Sequence, residues 1–238
     1  AKRVIEGYED GNQMVVVVSA MGDTTDHLID LMGDITDDPD PREADMLLTT
    51  GEQVSIALLT MAIHSLGYPA ISLTGSQMKI KTDEKHNQAM ITDVDTTRLK
   101  KELADNKIVI VAGFQGVNDN QDFTTLGRGG SDTTTVAVAA AMNADRCEIY
   151  SDVDGVYTAD PRIVDDASKL DSISYQEMLE LANLGANVLH PRAVELANNY
   201  NLDLYIASSF NKTVGTIVRG DEKMEGKKNV VGAASDLG

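Results

Sequence analysis

Short runs of β-branched residues alternate with helical stretches along most of this 238-residue chain. The clearest run covers residues 14–20, where consecutive valines leave neither face polar, as in a parallel strand buried on both sides. Four further runs favour strands: 70–73, 107–112, 147–150 and 203–207. The stretches between them favour helices: 47–66, 96–104, 133–142, 175–182 and 193–200. This alternation predicts an α/β layered domain with a mostly parallel sheet.

Composition narrows the class of function. The formal charge is −18 and the sequence pI about 4.4, which argues against nucleic-acid binding because that needs a basic face. No run approaches the roughly 20 apolar residues of a membrane span, and the first residues lack the apolar core of a signal peptide. Cys147 is the only cysteine, so an intrachain disulfide is impossible. We therefore expect a cytoplasmic protein that binds neither nucleic acid nor membrane.

Polar loops follow three of the predicted strands, at residues 20–26, 113–116 and 151–155. Ligands of open parallel sheets collect at the carboxyl ends of the strands. These loops therefore predict a ligand site at one edge of the sheet.

A loop with three glycines around one arginine is the most informative segment, and it covers residues 124–134. Glycines let backbone amides approach a ligand closely, and either Ser131 or Asp132 can begin the next helix, whose first amides favour anions. Arg128 can grip a carboxylate or phosphate through two parallel hydrogen bonds. The alternative is a glycine turn followed by an ordinary helix cap. The glycine spacing fits neither a Walker A loop nor a dinucleotide fingerprint.

The segment Thr-Leu-Gly-Arg-Gly-Gly-Ser-Asp, residues 125–132, resembles the aspartate kinase signature of the amino-acid kinase family. Four other segments resemble family motifs in the same order: 17–26, 50–53, 151–162 and 185–191. The resemblance implies a three-layer α/β/α sandwich like that of carbamate kinase. It also implies that MgATP phosphorylates the side-chain carboxylate of L-aspartate, giving 4-phospho-L-aspartate, the first step of lysine, threonine and methionine biosynthesis.

The same resemblance implies a role for each residue of a substrate pocket. Glu52 would bind the α-ammonium group, and Arg128 the α-carboxylate, with Gly129 beside it. Thr25 and Ser131 would add hydroxyl donors, while Asp132 would act with Arg128 in catalysis by organising the phosphate side. Two purely structural alternatives stay open. Glu52 could be a negative charge that the dipole at a helix N-terminus favours, and Thr25 could be a helix cap.

The resemblance also implies a nucleotide side. Ser151 and Asp152 would lie beside the ribose and phosphates of ATP, and Asp152 is a candidate Mg²⁺ ligand, although the metal would arrive with ATP. Tyr157 would face the nucleotide and Arg162 the phosphates. Core packing is the alternative for Tyr157, and a surface turn for Arg162. Asn187 stands near the nucleotide where many relatives have lysine.

The chain departs from the family pattern at both ends. The family's opening strand and Lys-Phe-Gly-Gly loop do not occur in it, and losing that lysine would weaken catalysis. We expect residues 1–219 to form the kinase domain, and residues 220–238 to form a tail towards ACT regulatory domains. The expected partners are L-aspartate, MgATP, and either a second copy or ACT-containing chains. An inactive ligand-binding fragment and a glutamate kinase are the alternative functions.

Overall fold

The computed structural model describes residues 1–186, 188–220 and 232–234, and it divides into two compact units. The first unit is Ala1–Ala141 and the second is Met142–Gly238. The helices of the first unit are α1 (Lys2–Glu9), α2 (Thr24–Gly33), α3 (Pro41–Leu48), α4 (Thr50–Ser65), α5 (Thr97–Ala104) and α6 (Gly130–Met142), whose last residue opens the second unit. Its strands are β1 (Val15–Val18), β2 (Ala70–Leu73), β3 (Ile80–Thr82), β4 (Ile91–Val94), β5 (Ile108–Ala112), β6 (Gln115–Val117) and β7 (Phe123–Thr125).

A parallel sheet in the order β1-β5-β2 forms the centre of the first unit. All residues of β5 are buried, as the apolar run at 107–112 predicted. Ile56 and Ile63 of α4 and Ile5 of α1 pack on this sheet in one core cluster. Burial on both faces accounts for the absence of alternation in β5, whereas all four residues of β1 are only partly buried.

A second, mixed sheet in the first unit has the order β4-β3-β6-β7. Strands β6 and β7 form an antiparallel hairpin, in which Asn118 N donates to Asp122 O over 3.1 Å. This hairpin leads directly from the end of β5 to the glycine-rich loop that precedes α6. It therefore returns the chain to the carboxyl edge of the parallel sheet.

The helix predicted over residues 47–66 is two helices in the structure. Helix α3 ends at Leu48 and α4 begins at Thr50, so Thr49 is the C-cap of one and the N-cap of the other. Asp40 caps α3 by accepting from two first-turn amides, and Pro41 occupies the first helical position. Helix α3 therefore begins six residues before the predicted helix start at residue 47.

The stretch Pro41–Ser65 is long and apolar enough to span a membrane by length and composition, which the sequence reading overlooked. Core helices of water-soluble proteins meet the same criterion, and this stretch carries two buried carboxylates, Asp45 and Glu52. A charged group at the centre of a bilayer is costly. The stretch is therefore weak evidence for a membrane segment.

The second unit contains a mixed sheet in the order β8-β10-β11-β9 and two helices. Its elements are β8 (Cys147–Ser151), β9 (Ser172–Ser174), α7 (Tyr175–Asn183), α8 (Pro191–Asn199), β10 (Leu204–Ser208) and β11 (Thr216–Arg219). Strands β8 and β10 are parallel, and Ser174 begins α7 with a capping box completed by Glu177. Both units thus combine parallel strands with helices, which confirms the predicted α/β class.

Candidate active site

The carboxyl ends of β1 and β5 meet the first turn of α6. Gly113 N, just after β5, donates to Val18 O over 3.0 Å, and Ser19 Oγ donates to Ser131 Oγ over 2.7 Å. A Cβ atom on Gly113 would lie 2.7 Å from Ser131 Oγ. Glycine at this position therefore permits a close approach between the sheet edge and α6. The helix begins at Gly130, one residue before the two start positions that the sequence allowed.

Glu52 lies in the first turn of α4 and is almost fully buried, with 3% of its surface exposed. Its Oε1 accepts a hydrogen bond from Ala20 N over 3.1 Å, in the loop after β1. Its Oε2 is buried and has no hydrogen-bond partner within the described part of the chain. Burial raises the pKa of Glu52 from 4.5 to about 7, although hydrogen bonds from backbone amides oppose this. An ammonium group placed beside Oε2 would satisfy this oxygen and favour the ionised carboxylate.

The arginine loop, residues 126–129, connects β7 to α6. Gly127 and Gly129 have φ values of +75° and +68°, which favour glycine over residues with a side chain. Leu126 is buried and its N donates to Phe114 O over 2.9 Å, so the loop is anchored at its start. Arg128 is exposed and makes no ion pair with any described residue. Its guanidinium is therefore available to a bound anion.

Ser131 and Asp132 both lie in the first turn of α6. The first-turn amides of a helix lack acceptors within the helix, so they favour a negatively charged ligand. The structure thus brings Glu52 and Ser131 to the same sheet edge, with Arg128, Gly129 and Asp132 adjacent in the chain to Ser131.

Thr25 is the second residue of α2 and is partly buried. The N-cap position of this helix belongs to Asp23, so Thr25 is not its cap residue. A Cβ atom on Gly51 would lie 3.0 Å from Ala20 Cβ and 3.6 Å from Thr24 Cγ2, so the starts of α2 and α4 pack closely. A cleft of about 440 Å³ opens beside them. Its lining residues are Val18, Ser19, Ala20, Met21, Ser55, Leu58 and Leu59.

In the second unit, the candidate nucleotide residues follow β8. Ser151 is the last residue of that strand, and its Oγ accepts from Val153 N over 3.4 Å. The side chain of Asp152 is exposed. Tyr157 donates through its hydroxyl to Asp154 Oδ1 over 2.9 Å, so its polar end is bonded within the loop.

Asp154 is the central acceptor of this loop. Lys169 Nζ lies 3.5 Å from Asp154 Oδ2 and donates to Val214 O over 2.5 Å. Although burial raises the pKa of Asp154, the hydrogen bond from Tyr157 and the charge of Lys169 lower it below its usual value. Gly155 has a φ of +145°, and a Cβ atom there would lie 2.6 Å from Thr216 Oγ1. The contacts of Asp154 and the close approach at Gly155 therefore constrain the conformation of this loop.

Arg162 forms a double hydrogen bond with Asp160 in a turn, and its side chain is 87% exposed. Asn187, the remaining candidate, lies outside the described residues. Among the described residues, no cluster of three or more His, Cys, Asp or Glu side chains could hold a metal ion. The exposed carboxylate of Asp152 fits a magnesium ion that arrives bound to a nucleotide.

Two buried residues near the site escaped the sequence analysis. Asp45 of α3 is fully buried, and Gln115 at the start of β6 donates through Nε2 to Thr49 O over 3.0 Å. Gln115 Oε1 accepts from Gly75 N over 3.2 Å. The available signal was a lone carboxylate within the apolar segment around residues 44–48.

Comparisons with known proteins give consistent results. The model of the amino acid kinase family matches residues 1–208. The aspartokinase of Geobacillus stearothermophilus is 59% identical over 225 residues, which are 94% of this chain and 55% of that protein. The chain thus spans about half the length of the curated relatives it matches.

Solved structures agree with that result. The aspartate kinase from Synechocystis is 50% identical and has a TM-score of 0.81, over 92% of this chain and 36% of that chain. The E. coli aspartokinase III in complex with aspartate and ADP is 30% identical and has a TM-score of 0.74. That match covers 84% of this chain and 45% of the other.

Proposed function

This chain belongs to the amino acid kinase family, and from that premise we propose that it is the catalytic region of an aspartate kinase. The reaction transfers the γ-phosphoryl group of MgATP to the side-chain carboxylate of L-aspartate, giving 4-phospho-L-aspartate. The observation that carries the proposal is Glu52, a buried carboxylate whose Oε2 has no hydrogen-bond partner among the described residues, at the sheet edge that also holds Ser131 of α6. Aspartokinases more than 50% identical over nearly the whole chain support the same assignment.

The pocket residues of the first unit match the charges of aspartate one by one. Glu52 accepts the α-ammonium group, and Arg128 pairs with the α-carboxylate through its planar fork. Thr25 and Ser131 supply hydroxyl donors, and Gly129 keeps the backbone close to the ligand. The side-chain carboxylate of the substrate is the one group left without a charged partner in this set.

The chemistry suits a site without a general base. The nucleophile is already a carboxylate, so catalysis consists of alignment, charge stabilisation and exclusion of water. Asp132 and the first-turn amides of α6 organise the phosphate side. The nucleotide is contacted by five residues of the second unit: Ser151, Asp152, Tyr157, Arg162 and Asn187. Magnesium enters with ATP and neutralises its phosphates.

We extend the proposal to the organisation of the protein. Residues 1–219 form the catalytic domain, and residues 220–238 lead towards ACT-type regulatory domains in the same chain or in a partner chain. We place the protein in the cytoplasm, which fits its single cysteine, as a homo-oligomer or in complex with ACT-containing regulatory chains. Size-exclusion chromatography with light scattering on the full-length protein tests the oligomeric state.

Hydroxamate formation from L-aspartate and MgATP by the full-length protein tests the reaction, with L-glutamate as the competing substrate. Arg128→Ala should raise the KM for aspartate by about 100-fold, because it removes a charged, bidentate partner. Arg146→Ala is the matched control, since Arg146 is also exposed and pairs only with Glu148 among the described acidic residues. Equal turnover of glutamate, or an unchanged KM in Arg128→Ala, would contradict the assignment.

A further inference from the structure

Asp45, on helix α3, lies at the centre of a buried hydrogen-bond network. Its Oδ1 accepts from Thr125 Oγ1 over 2.5 Å, and Asn87 N lies 3.1 Å from both carboxylate oxygens. His86 Nδ1 lies 2.7 Å from Asp45 Oδ2, where a proton on Nδ1 is donated to the carboxylate. A buried carboxylate is costly unless donors surround it, and here both oxygens have donors. These hydrogen bonds therefore fix the position of the Asp45 side chain.

The network ends on the arginine loop. Thr125 is the last residue of β7, immediately before that loop, and is 1% exposed. Its carbonyl oxygen accepts from Ala89 N over 2.9 Å, so Thr125 is held through both its side chain and its backbone. A Cβ atom on Gly127 would lie 3.0 Å from Asn87 O. The segment 86–89 thus supports the back of the loop, and Asp45 anchors that segment.

Helix α3 also leads to the side of the proposed pocket that contains Glu52. Thr49, the C-cap of α3, accepts from Gln115 Nε2, and α4 with Glu52 begins at the next residue. Asp45 and Thr49 are four residues apart and both are fully buried, as expected for one face of a helix. Helix α3 is therefore connected to both sides of the proposed pocket. Asp45 contacts Thr125, which precedes Arg128, and Thr49 directly precedes the helix that carries Glu52.

We propose that Asp45 is a positioning residue for substrate capture, which holds the arginine loop through Thr125 and the segment 86–89 so that Arg128 meets the substrate carboxylate. This inference rests on the proposed function, because it assigns Arg128 to that carboxylate. Asp45 acts through Arg128 and touches no substrate. Its removal should therefore weaken aspartate binding more than it slows the chemical step.

Steady-state kinetics of Asp45→Asn and Thr125→Val in the full-length protein test the role. Each variant should raise the KM for aspartate by about tenfold while changing the KM for ATP and kcat by less than about twofold, because only loop placement is lost. Glu102→Gln is the matched control, since Glu102 is a buried carboxylate that pairs with Arg98 and Lys107 on the same unit. It should lower stability without changing the KM for aspartate.

A double-mutant cycle separates this inference from the proposed function. If Asp45 acts through Arg128, Thr125→Val should have no further effect on the KM in the Arg128→Ala background. An effect of Thr125→Val that persists unchanged there would overturn the positioning role. If Arg128→Ala itself leaves the KM unchanged, the substrate assignment fails instead.

Trypsin gives a readout that is independent of activity, because it cleaves after Arg128 when the loop is released. Cleavage at this bond in native protein should be about tenfold faster in Asp45→Asn than in wild type, and unchanged in Glu102→Gln. Equal cleavage rates in all three proteins would overturn the inference, even where one variant loses stability.

Discussion

Glu52 gives the sharpest test of the pocket, because its burial raises its pKa and thereby makes the free energy of unfolding depend on pH. The side chain is 3% exposed, and only Oε1 has a hydrogen-bond partner among the described residues. Burial raises the pKa of Glu52 from 4.5 to about 7 in the empty site. The perturbation is Glu52→Gln, which keeps the shape of the side chain and removes the ionisation.

The magnitude follows from the difference between the two pKa values of Glu52. In the unfolded chain the group loses its proton near pH 4.5, whereas in the folded chain it keeps it until about pH 7. Stability therefore falls as pH rises between these values, since the folded state binds more protons. At about 1.36 kcal/mol for each pH unit, the loss is about 3 kcal/mol by pH 8. Below pH 4.5 this loss is absent.

Urea denaturation from pH 4 to pH 9 measures this effect. At pH 8, Glu52→Gln should be more stable than wild type by up to about 3 kcal/mol, and this advantage should disappear at pH 4.5. Glu102→Gln is the control of opposite sign. The hydrogen bond from Lys107 lowers the pKa of Glu102, so this variant should be less stable than wild type at pH 8.

Ligand binding should lower the pKa of Glu52, which burial raises in the absence of a ligand. The substrate ammonium favours the ionised carboxylate, so aspartate binding near pH 6.5 should release a proton. Calorimetry in two buffers with different ionisation enthalpies measures that proton, and Glu52→Gln should bind weakly and release none. A stability difference between Glu52→Gln and wild type that stays constant from pH 4 to pH 9, together with proton-neutral binding, would refute the reasoning.

Three further variants test the surroundings of the site. Gly113→Ala should destabilise the protein by about 1–3 kcal/mol in thermal or urea denaturation, because the new methyl group meets Ser131 Oγ at 2.7 Å. Lys169→Met should raise the KM for ATP several-fold and leave that for aspartate unchanged in coupled assays, because Asp154 loses a cation that holds its loop. Arg162→Ala should leave the midpoint of urea denaturation unchanged, since its ion pair with Asp160 is exposed.

Strand β5 was predicted because it is fully buried, so its sequence is an unbroken apolar run. Strands β3, β6, β7 and β9 have three residues each and were not predicted, because such segments are too short to show a period. Strands β4 and β11 have four residues each and were not predicted either. Pairing with neighbouring strands fixes them. The division between α3 and α4 was also missed, because the single residue Thr49 separates the two helices.

Chemically distinctive residues of the site could be selected from the sequence, whereas their supports could not. Glycines around an arginine before a helix form a local pattern, whereas Glu52 was selected because residues 50–53 resemble a family motif. Asp45 contacts residues 42 and 80 positions away in the chain, so no local pattern indicates its role. Its only signal is a charge in an apolar helix, which an exposed position would explain equally well.

On the proposed assignment, the ionisation of Glu52 lets a strongly acidic chain hold a dicarboxylic amino acid without a large buried charge. In the empty pocket at or below pH 7 a protonated Glu52 adds no charge, and Arg128 is the cation of the loop. On the proposed assignment, aspartate binding should take the proton from Glu52, which then pairs with the ammonium group, while Arg128 pairs with the α-carboxylate. Both pairs would then be neutral, and the side-chain carboxylate of the substrate would be left without a cationic partner among these residues. As the proposed nucleophile, that group would be attracted towards the electron-poor γ-phosphorus of MgATP.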